Sequence, residues 1–321
     1  MWRSLKESAI FLLFFIYFFG VLLYNEYNYI LVEWVTYKMK KSTKKFLGFA
    51  IPATILGVAA RKAYVDVRYG VKGPKPLITF SESTNKATLD EIHLTAHRGL
   101  SSIVPENTIE AFQEAAKYNY YALECDVHCT TDNKWVIIHD YMLQSMAKEM
   151  GDVKKMSYES LSKIKFTNGA NIEDYPDATV CLVEDFIEIC KEANIRPMIE
   201  VKDKRVEKVA DLLEIIRKYD IEKDVILISF HKDVLRQFRI LSPEMELWYL
   251  MHTITDEKLQ ECIENGNGVA FEAKRGKPEM IQKIHHNNLK AACWTVDTKE
   301  MLDAMTNQGV KYITTNAILP E

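Results

Sequence analysis

Glycine and proline are scarce in this chain, 12 and 9 of 321 residues, which excludes collagen-like and low-complexity architectures. Apolar residues make up 48% and charged residues 27%, so the bulk can bury a sizeable core and is not disordered. An excess of positive charge is also missing: 41 Lys and Arg face 45 Asp and Glu, for a net charge of -4 and a pI near 6.1. Nucleic acid is therefore not an expected partner. The six cysteines, Cys125, Cys129, Cys181, Cys190, Cys262 and Cys293, show no C-x-x-C pair and no disulfide scaffold. They read as free thiols, which fits a reducing compartment slightly better than an oxidising one. No G-x-G-x-x-G motif follows the first β-rich run and no G-x-x-x-x-G-K loop occurs, which counts against an open doubly wound nucleotide-binding sheet.

Long apolar runs are confined to the N-terminus. Ala9 to Tyr24 carries no charge, and apolar or aromatic residues resume from Tyr27 to Val32. A second run, Phe46 to Ala60, is rich in small residues and bracketed by Lys44, Lys45, Arg61 and Lys62. Each run is slightly short of the roughly 17 to 25 residues of a membrane span and must recruit its flanks. Two short spans, 9–32 and 46–60, packed as a hairpin are the expectation, and they make residues 1–71 a membrane-anchor region. A cleaved signal peptide followed by a buried helix is the competing reading; no A-x-A-like site directly follows the first run. Lysines and arginines lie both between the runs and after the second, so they do not orient the pair; the extracytoplasmic side is slightly favoured for the C-terminal part. Residues 72–87, with two prolines and little apolar periodicity, read as a linker, and the soluble domain is expected over 88–321.

From Ile92 onward short β-rich runs alternate with helical ones, the pattern of a parallel α/β architecture. Nine candidate strands are present: 92–97, 122–127, 135–139, 196–201, 225–230, 247–251, 269–273, 290–296 and 312–315. A (β/α)8 TIM barrel needs eight, so one is a hairpin partner, and the short connection between the second and third marks that pair. Helices are expected over 108–118, 183–193, 206–219, 233–241, 256–265, 278–287 and 299–307.

The polar groups concentrate between His97 and Asp140. Glu124 and Asp126 lie two apart on a strand and share a face, with Cys125 on the other. Two carboxylates on one barrel face repel each other, and a divalent cation with a preference for oxygen, Mg²⁺ or Ca²⁺, relieves that directly. If the turn after Val127 centres on Thr131 and Asp132, His139 falls opposite Glu124. His97 ends the first strand at the edge where barrel active sites lie, and Glu200 and Lys202 share a face at the end of 196–201. A cation with Arg98 or Lys202 to neutralise phosphate oxygens, and two histidines to exchange protons, suggests phosphoryl chemistry. No serine or cysteine nucleophile with a matching base is evident. In the segment Glu106-Asn107, a helix-start or turn role is favoured over substrate contact. Trp294 is a candidate substrate neighbour at the barrel mouth, and His93, His128, His285 and His286 receive no role.

These residues carry a family resemblance. HRG at 97–99, PENT at 105–108, E-x-D-V at 124–127, T-x-D at 130–132, V-I-I-H-D at 136–140 and I-E-V-K at 199–202 resemble the glycerophosphodiester phosphodiesterases. The likeness runs on through Ser229-Phe230, Trp294-Thr295-Val296-Asp297 and Gly309 to Asn316, covering roughly residues 92–318. It implies a phospholipase-C-like barrel and hydrolysis of glycerophosphodiesters to glycerol phosphate and an alcohol, through a cyclic phosphate that water opens. It also implies His97 and His139 as catalytic acid and base, Glu124, Asp126 and Glu200 as metal ligands, and Arg98 and Lys202 as phosphate contacts. Two departures touch substrate preference and rim geometry: Thr314-Thr315-Asn316 where relatives often have an aspartate, and 179–184 where they often have P-T-L-E. A lysophospholipase D acting on membrane lysolipids is the nearest alternative, and a catalytically idle membrane-bound barrel serving as a binding module is the alternative of another class. The oligomeric state is not fixed by the sequence.

Overall fold

The computed structural model describes residues 73–79 and 91–320. The expected spans 9–32 and 46–60, and most of the expected linker, lie outside the described residues. Among the described residues no helix is long and apolar enough to cross a membrane.

Strands and crossover helices alternate along the chain, beginning with β1 (Ile78–Thr79), β2 (His93–Ala96), α1 (Ile109–Ala115), β3 (Ala122–Cys129) and β4 (Trp135–Ile137). A rim excursion holding the short α2 (Tyr158–Leu161) leads to β5 (Cys181–Leu182), α3 (Val183–Ala193) and β6 (Arg196–Val201). Then follow α4 (Val209–Lys218), β7 (Ile226–Ser229), α5 (Lys232–Leu241), β8 (Glu246–Met251), α6 (Asp256–Asn265) and β9 (Gly268–Glu272). The chain closes with α7 (Pro278–His286), β10 (Ala291–Trp294), α8 (Lys299–Thr306), β11 (Tyr312–Thr315) and β12 (Ile318–Leu319).

Eight parallel strands close on themselves in the order β2, β3, β6, β7, β8, β9, β10, β11 and back to β2. The expected barrel is therefore present, and the extra strand is β4, antiparallel to β3. β3 is long enough to use one edge twice: Ala122 and Leu123 pair with β2, and Val127 to Cys129 pair with β4. β5 adds a third strand beyond β4. The rim excursion has its own small core, with Leu143, Met146, Val153, Leu161 and Phe166 packed on Val136 and Ile138. Part of the expected linker lies on the barrel, since Ile78 and Thr79 pair with Ile318 and Leu319 of β12.

The pleat of each strand sorts its residues. Outward-facing Leu123, Cys125, Ile199, Leu227, Leu247 and Phe271 pack under the helices. Burying each such Leu, Ile or Phe contributes roughly 1.5–3 kcal/mol relative to exposure. Inward-facing Ala122, Met198, Ile226, Ile228, Trp248, Leu250, Ala270 and Ala292 fill the barrel interior. An Arg196–Glu246 ion pair at 2.9 Å joins the starts of β6 and β8 and helps close the floor, so the interior opens at the C-terminal ends of the strands. All six cysteines are free and buried.

Candidate active site

Registry between β3 and β6 builds the acidic centre. Asp126 pairs with Glu200 across the ladder, and Glu124 lies one pleat earlier on the same face. One carboxylate oxygen from each of Glu124, Asp126 and Glu200 can be chosen so that all three lie within 4.8 Å of one another, and all three residues are buried. Lys202, one pleat beyond Glu200, puts Nζ 2.7 Å from Glu200 Oε1 and 3.2 Å from Asp126 Oδ1.

The turn after β2 closes over this centre. Arg98 takes a left-handed backbone, φ 58°, and its N–H donates to Glu124 Oε2 at 2.9 Å. Its guanidinium reaches Glu106 at 2.8 Å and Asp126 at 3.1 Å. Gly99 follows at φ 75°, and a Cβ there would come within 2.6 Å of the Ala111 backbone on α1, so only glycine fits. Thr108 caps α1 by accepting from Ala111 N, which frees the two residues before it for other work. Asn107 donates from Nδ2 to Asp126 Oδ2 at 2.8 Å and receives the Asp126 backbone N–H at 3.3 Å. The favoured helix-start role thus belongs to Thr108, while Glu106 and Asn107 support Arg98 and Asp126.

The two histidines flank the acids. His97 sits just past β2, with Nδ1 2.7 Å from Asn316 Oδ1. His139 follows Ile138, whose N–H still reaches Asp126 O, and its Nδ1 lies 3.1 Å from Asp140 Oδ1. The pairing of Val127 with Ile137 differs by one residue from the expected register. His139 nevertheless lines the same cavity as Glu124, because β4 ends at Ile137 and the chain leaves the ladder. His128, given no role from sequence, is buried and holds the His139 carbonyl through Nε2 at 3.1 Å. His285 and His286 are exposed on α7, and His93 stacks between Tyr121 and Tyr312 near the floor.

His97, Arg98, Glu124, His139, Glu200, Lys202 and Trp294 all line one cavity of about 450 Å³. Its other wall is apolar and aromatic: Ile228, Phe230, Leu250 and Trp294, with His252 at the rim. Phe230 meets Trp294 edge-on, ring centroids 5.7 Å apart. One side of the cavity is thus charged and the other is suited to carbon.

Burial, and then the charges of Asp126 and Glu200, push the Glu124 carboxyl well above its usual range. Burial pushes Glu200 up to about 7 against the opposing pull of Lys202. Burial acts the same way on Asp126, but Lys202 and Arg98 outweigh it and hold this carboxyl well below its ordinary value. Asp126 therefore keeps its charge, and without a further cation Glu124 holds a proton. Burial, then Arg98, lowers His97 to about 4. Asp126 Oδ1 and Glu200 Oε1 have no hydrogen-bond partner of good geometry although both are buried. Three converging buried carboxylates, two of them with an oxygen that faces Lys202 without a hydrogen bond of good geometry, fit an oxygen-ligated divalent cation.

Residues 97–319 match the model of the glycerophosphoryl diester phosphodiesterase family. A glycerophosphodiester phosphodiesterase of Caldanaerobacter subterraneus subsp. tengcongensis is 29% identical over 238 residues, covering 69% of this chain and 92% of that one. One of Bacillus altitudinis is 27% identical over 231 residues, covering 69% and 93%. Among solved structures, an Oleispira antarctica phosphodiesterase in complex with the product sn-glycerol-3-phosphate superposes with a TM-score of 0.65 at 20% identity, covering 75% of this chain and 96% of that one. A Silicibacter pomeroyi putative glycerophosphoryl diester phosphodiesterase gives 0.64 at 22%, covering 70% and 90%. These two structures share the fold.

Proposed function

The chain belongs to the glycerophosphoryl diester phosphodiesterase family and is a phosphodiester hydrolase; we propose that it cleaves glycerophosphodiesters to glycerol phosphate and an alcohol, with His97 and His139 as proton carriers beside a cation held by Glu124, Asp126 and Glu200. The observation that carries this reading is the meeting of the three carboxylates within 4.8 Å, two of them, Glu124 and Glu200, on the wall of a cavity that both histidines line. A bound Ca²⁺ or Mg²⁺ would draw charge from the phosphate oxygens. Lys202 and Arg98 add fixed positive charge beside the same oxygens, and both stay protonated because acidic neighbours outweigh their burial. His97 is neutral at physiological pH and can accept a proton. His139, with an aspartate at Nδ1, is suited to deliver one to the departing alkoxide.

Membrane attachment belongs to the same proposal. Lys75 donates its backbone N–H to Ser102 O at 2.8 Å and places Nζ 3.4 Å from Asp297, so the chain comes onto the barrel at the rim of the cavity. Fourteen residues, 61–74, separate Lys75 from the apolar run 46–60 in sequence. The nearness of that apolar run in sequence, together with the apolar wall of the cavity, supports access to lipid-borne substrates such as lysolipids as well as soluble glycerophosphodiesters.

The test is an assay of the purified full chain with glycerophosphocholine, glycerophosphoethanolamine and lysophosphatidylcholine, each with Ca²⁺, Mg²⁺ or chelator. Release of glycerol phosphate that chelator abolishes is the expected result. Turnover unaffected by chelator would remove the cation from the reading, and no turnover on any diester would sink it. Hydrolysis of glycerophosphocholine without any of lysophosphatidylcholine would remove the lysolipid arm.

A further inference from the structure

His97, Asn316 and Asp297 each lie just beyond the end of a barrel strand, and those strands are neighbours. β10 pairs with β11, and β11 pairs with β2 so that Thr315 is level with Ala96. The next residue on each, Asn316 and His97, therefore come side by side, with the His97 N–H donating to Thr315 O at 2.9 Å. Asp297 arrives from the loop after β10. It receives the Asn316 backbone N–H at Oδ1 over 2.8 Å and the Asn316 side-chain Nδ2 at Oδ2 over 2.7 Å. Asn316 Oδ1 then faces His97 Nδ1 at 2.7 Å, with Ser101 Oγ 2.9 Å from the same oxygen.

The hydrogen-bonding capacities of these groups leave one consistent arrangement. A carboxylate has acceptors only, so Asn316 must turn its amide nitrogen toward Asp297 and its oxygen toward His97. An amide oxygen has acceptors only, so the hydrogen of that contact must sit on His97 Nδ1. Neutral His97 then carries its open lone pair on Nε2, the nitrogen left for the cavity that the ring lines. The reversed amide would set Oδ1 against the Asp297 carboxylate and oblige His97 Nδ1 to accept, leaving Nε2 protonated and unable to act as a base.

We infer that Asp297 and Asn316 are positioning residues: acting in series, they fix the tautomer and ring orientation of His97 so that Nε2 is the proton acceptor. Neither residue touches the carboxylate triad in the hydrogen bonds described, and their effect passes through His97 alone. Lys75 at 3.4 Å from Asp297 adds a positive charge at the outer end of the chain of contacts. The inference rests on the proposed role of His97 in proton transfer, but the tautomer itself can be measured without turnover.

The experiment uses the full chain labelled with ¹⁵N at histidine, the His97 signals being assigned by their loss in H97Q, alongside steady-state kinetics on glycerophosphocholine. The wild type is expected to show the Nδ1–H tautomer. N316D sets two carboxylates against each other, and kcat should fall by at least tenfold with KM nearly unchanged. The double variant N316D/D297N exchanges amide and carboxylate: the amide introduced at position 297 donates, and the carboxylate introduced at position 316 still accepts from His97. It should restore the Nδ1–H tautomer and most of kcat. An Nε2–H tautomer in the wild type, or a double variant no better than N316D in a folded protein, would overturn the inference. A wild type with the Nδ1–H tautomer but no diester hydrolysis would leave this relay standing and remove the proposed function instead.

Discussion

Asn107 and Asp126 hold each other twice, Nδ2 to Oδ2 at 2.8 Å and backbone N to Oδ1 of the amide at 3.3 Å. The buried carboxylate at the middle of the acidic centre is thus aimed by a loop residue nineteen positions earlier in the chain. The left-handed backbone of Asn107, φ 58°, is what turns its side chain back onto β3.

Partners that orient a metal ligand affect affinity almost as strongly as the ligands do, typically 10–100-fold on mutation. Asn107→Ala should therefore weaken cation binding by about that factor, and turnover should recover substantially at high cation concentration. A titration of activity against Ca²⁺ or Mg²⁺ checks it. An unchanged half-saturating concentration would show that Asp126 needs no such support.

Much of this centre is legible in the sequence because strand periodicity and the residues at strand ends carry it. Two-residue spacing places Glu124 and Asp126 on one face, and Glu200 joins them because β3 and β6 are adjacent and in register. The outward turn of Cys125 and the hairpin formed by 135–137 follow from the same alternation. His139 is harder to place, since a one-residue difference in turn length changes the facing residue, and only the exit of the chain after Ile138 brings the ring to the cavity. Asn316 and Asp297 leave no periodic signal at all. Asn316 meets His97, and Asp297 reaches it through Asn316, because barrel closure makes the first and last strands neighbours, a relation across 219 residues that local pattern cannot express. The same holds for His128, whose buried ring acts on the His139 backbone rather than on any group a motif would reveal.

Glu124 couples function against stability. Its carboxyl is buried beside two others and is pushed well above its usual range when no cation is present, so folding has to neutralise it at a cost that a neutral isostere does not carry. Glu124→Gln should abolish turnover while raising the melting temperature of the chelated protein by a few degrees, roughly 2–4 °C per kcal/mol for a domain of this size. Calorimetry with chelator, beside an activity assay with cation, checks both halves. A chelated variant that melts below wild type would mean that burying Glu124 carries no such cost.

Glu200, like Glu124 beside it, should make the chelated protein less stable as pH rises. Its folded pKa of about 7 lies above the ordinary 4.5, so the folded state binds more protons between these values. Stability from this group is therefore fully present below about pH 4.5 and is lost as pH rises through 7, a change on the order of a few kcal/mol. A divalent cation replaces the proton, so the stabilisation it confers should be small at pH 5 and large at pH 8. Melting curves with and without cation at the two values test this. A cation effect that is larger at pH 5 would contradict the assigned shift.

Trp294 divides binding from chemistry. It forms the apolar wall with Phe230 and His252, across the cavity from the carboxylates, and its Nε1 is buried without a hydrogen-bond partner. A donor in that state is suited to a substrate oxygen, and the ring face to the carbon skeleton beside it. Because none of the proton-carrying or carboxylate groups leans on the indole, Trp294→Leu should raise KM by about tenfold, equivalent to roughly 1.4 kcal/mol of binding, while kcat changes less than threefold. Trp294→Phe keeps the ring but not the N–H, so comparing the two separates the hydrogen bond from the apolar contact. If KM holds in both variants and only kcat falls, the indole acts on the reacting groups and not on substrate binding.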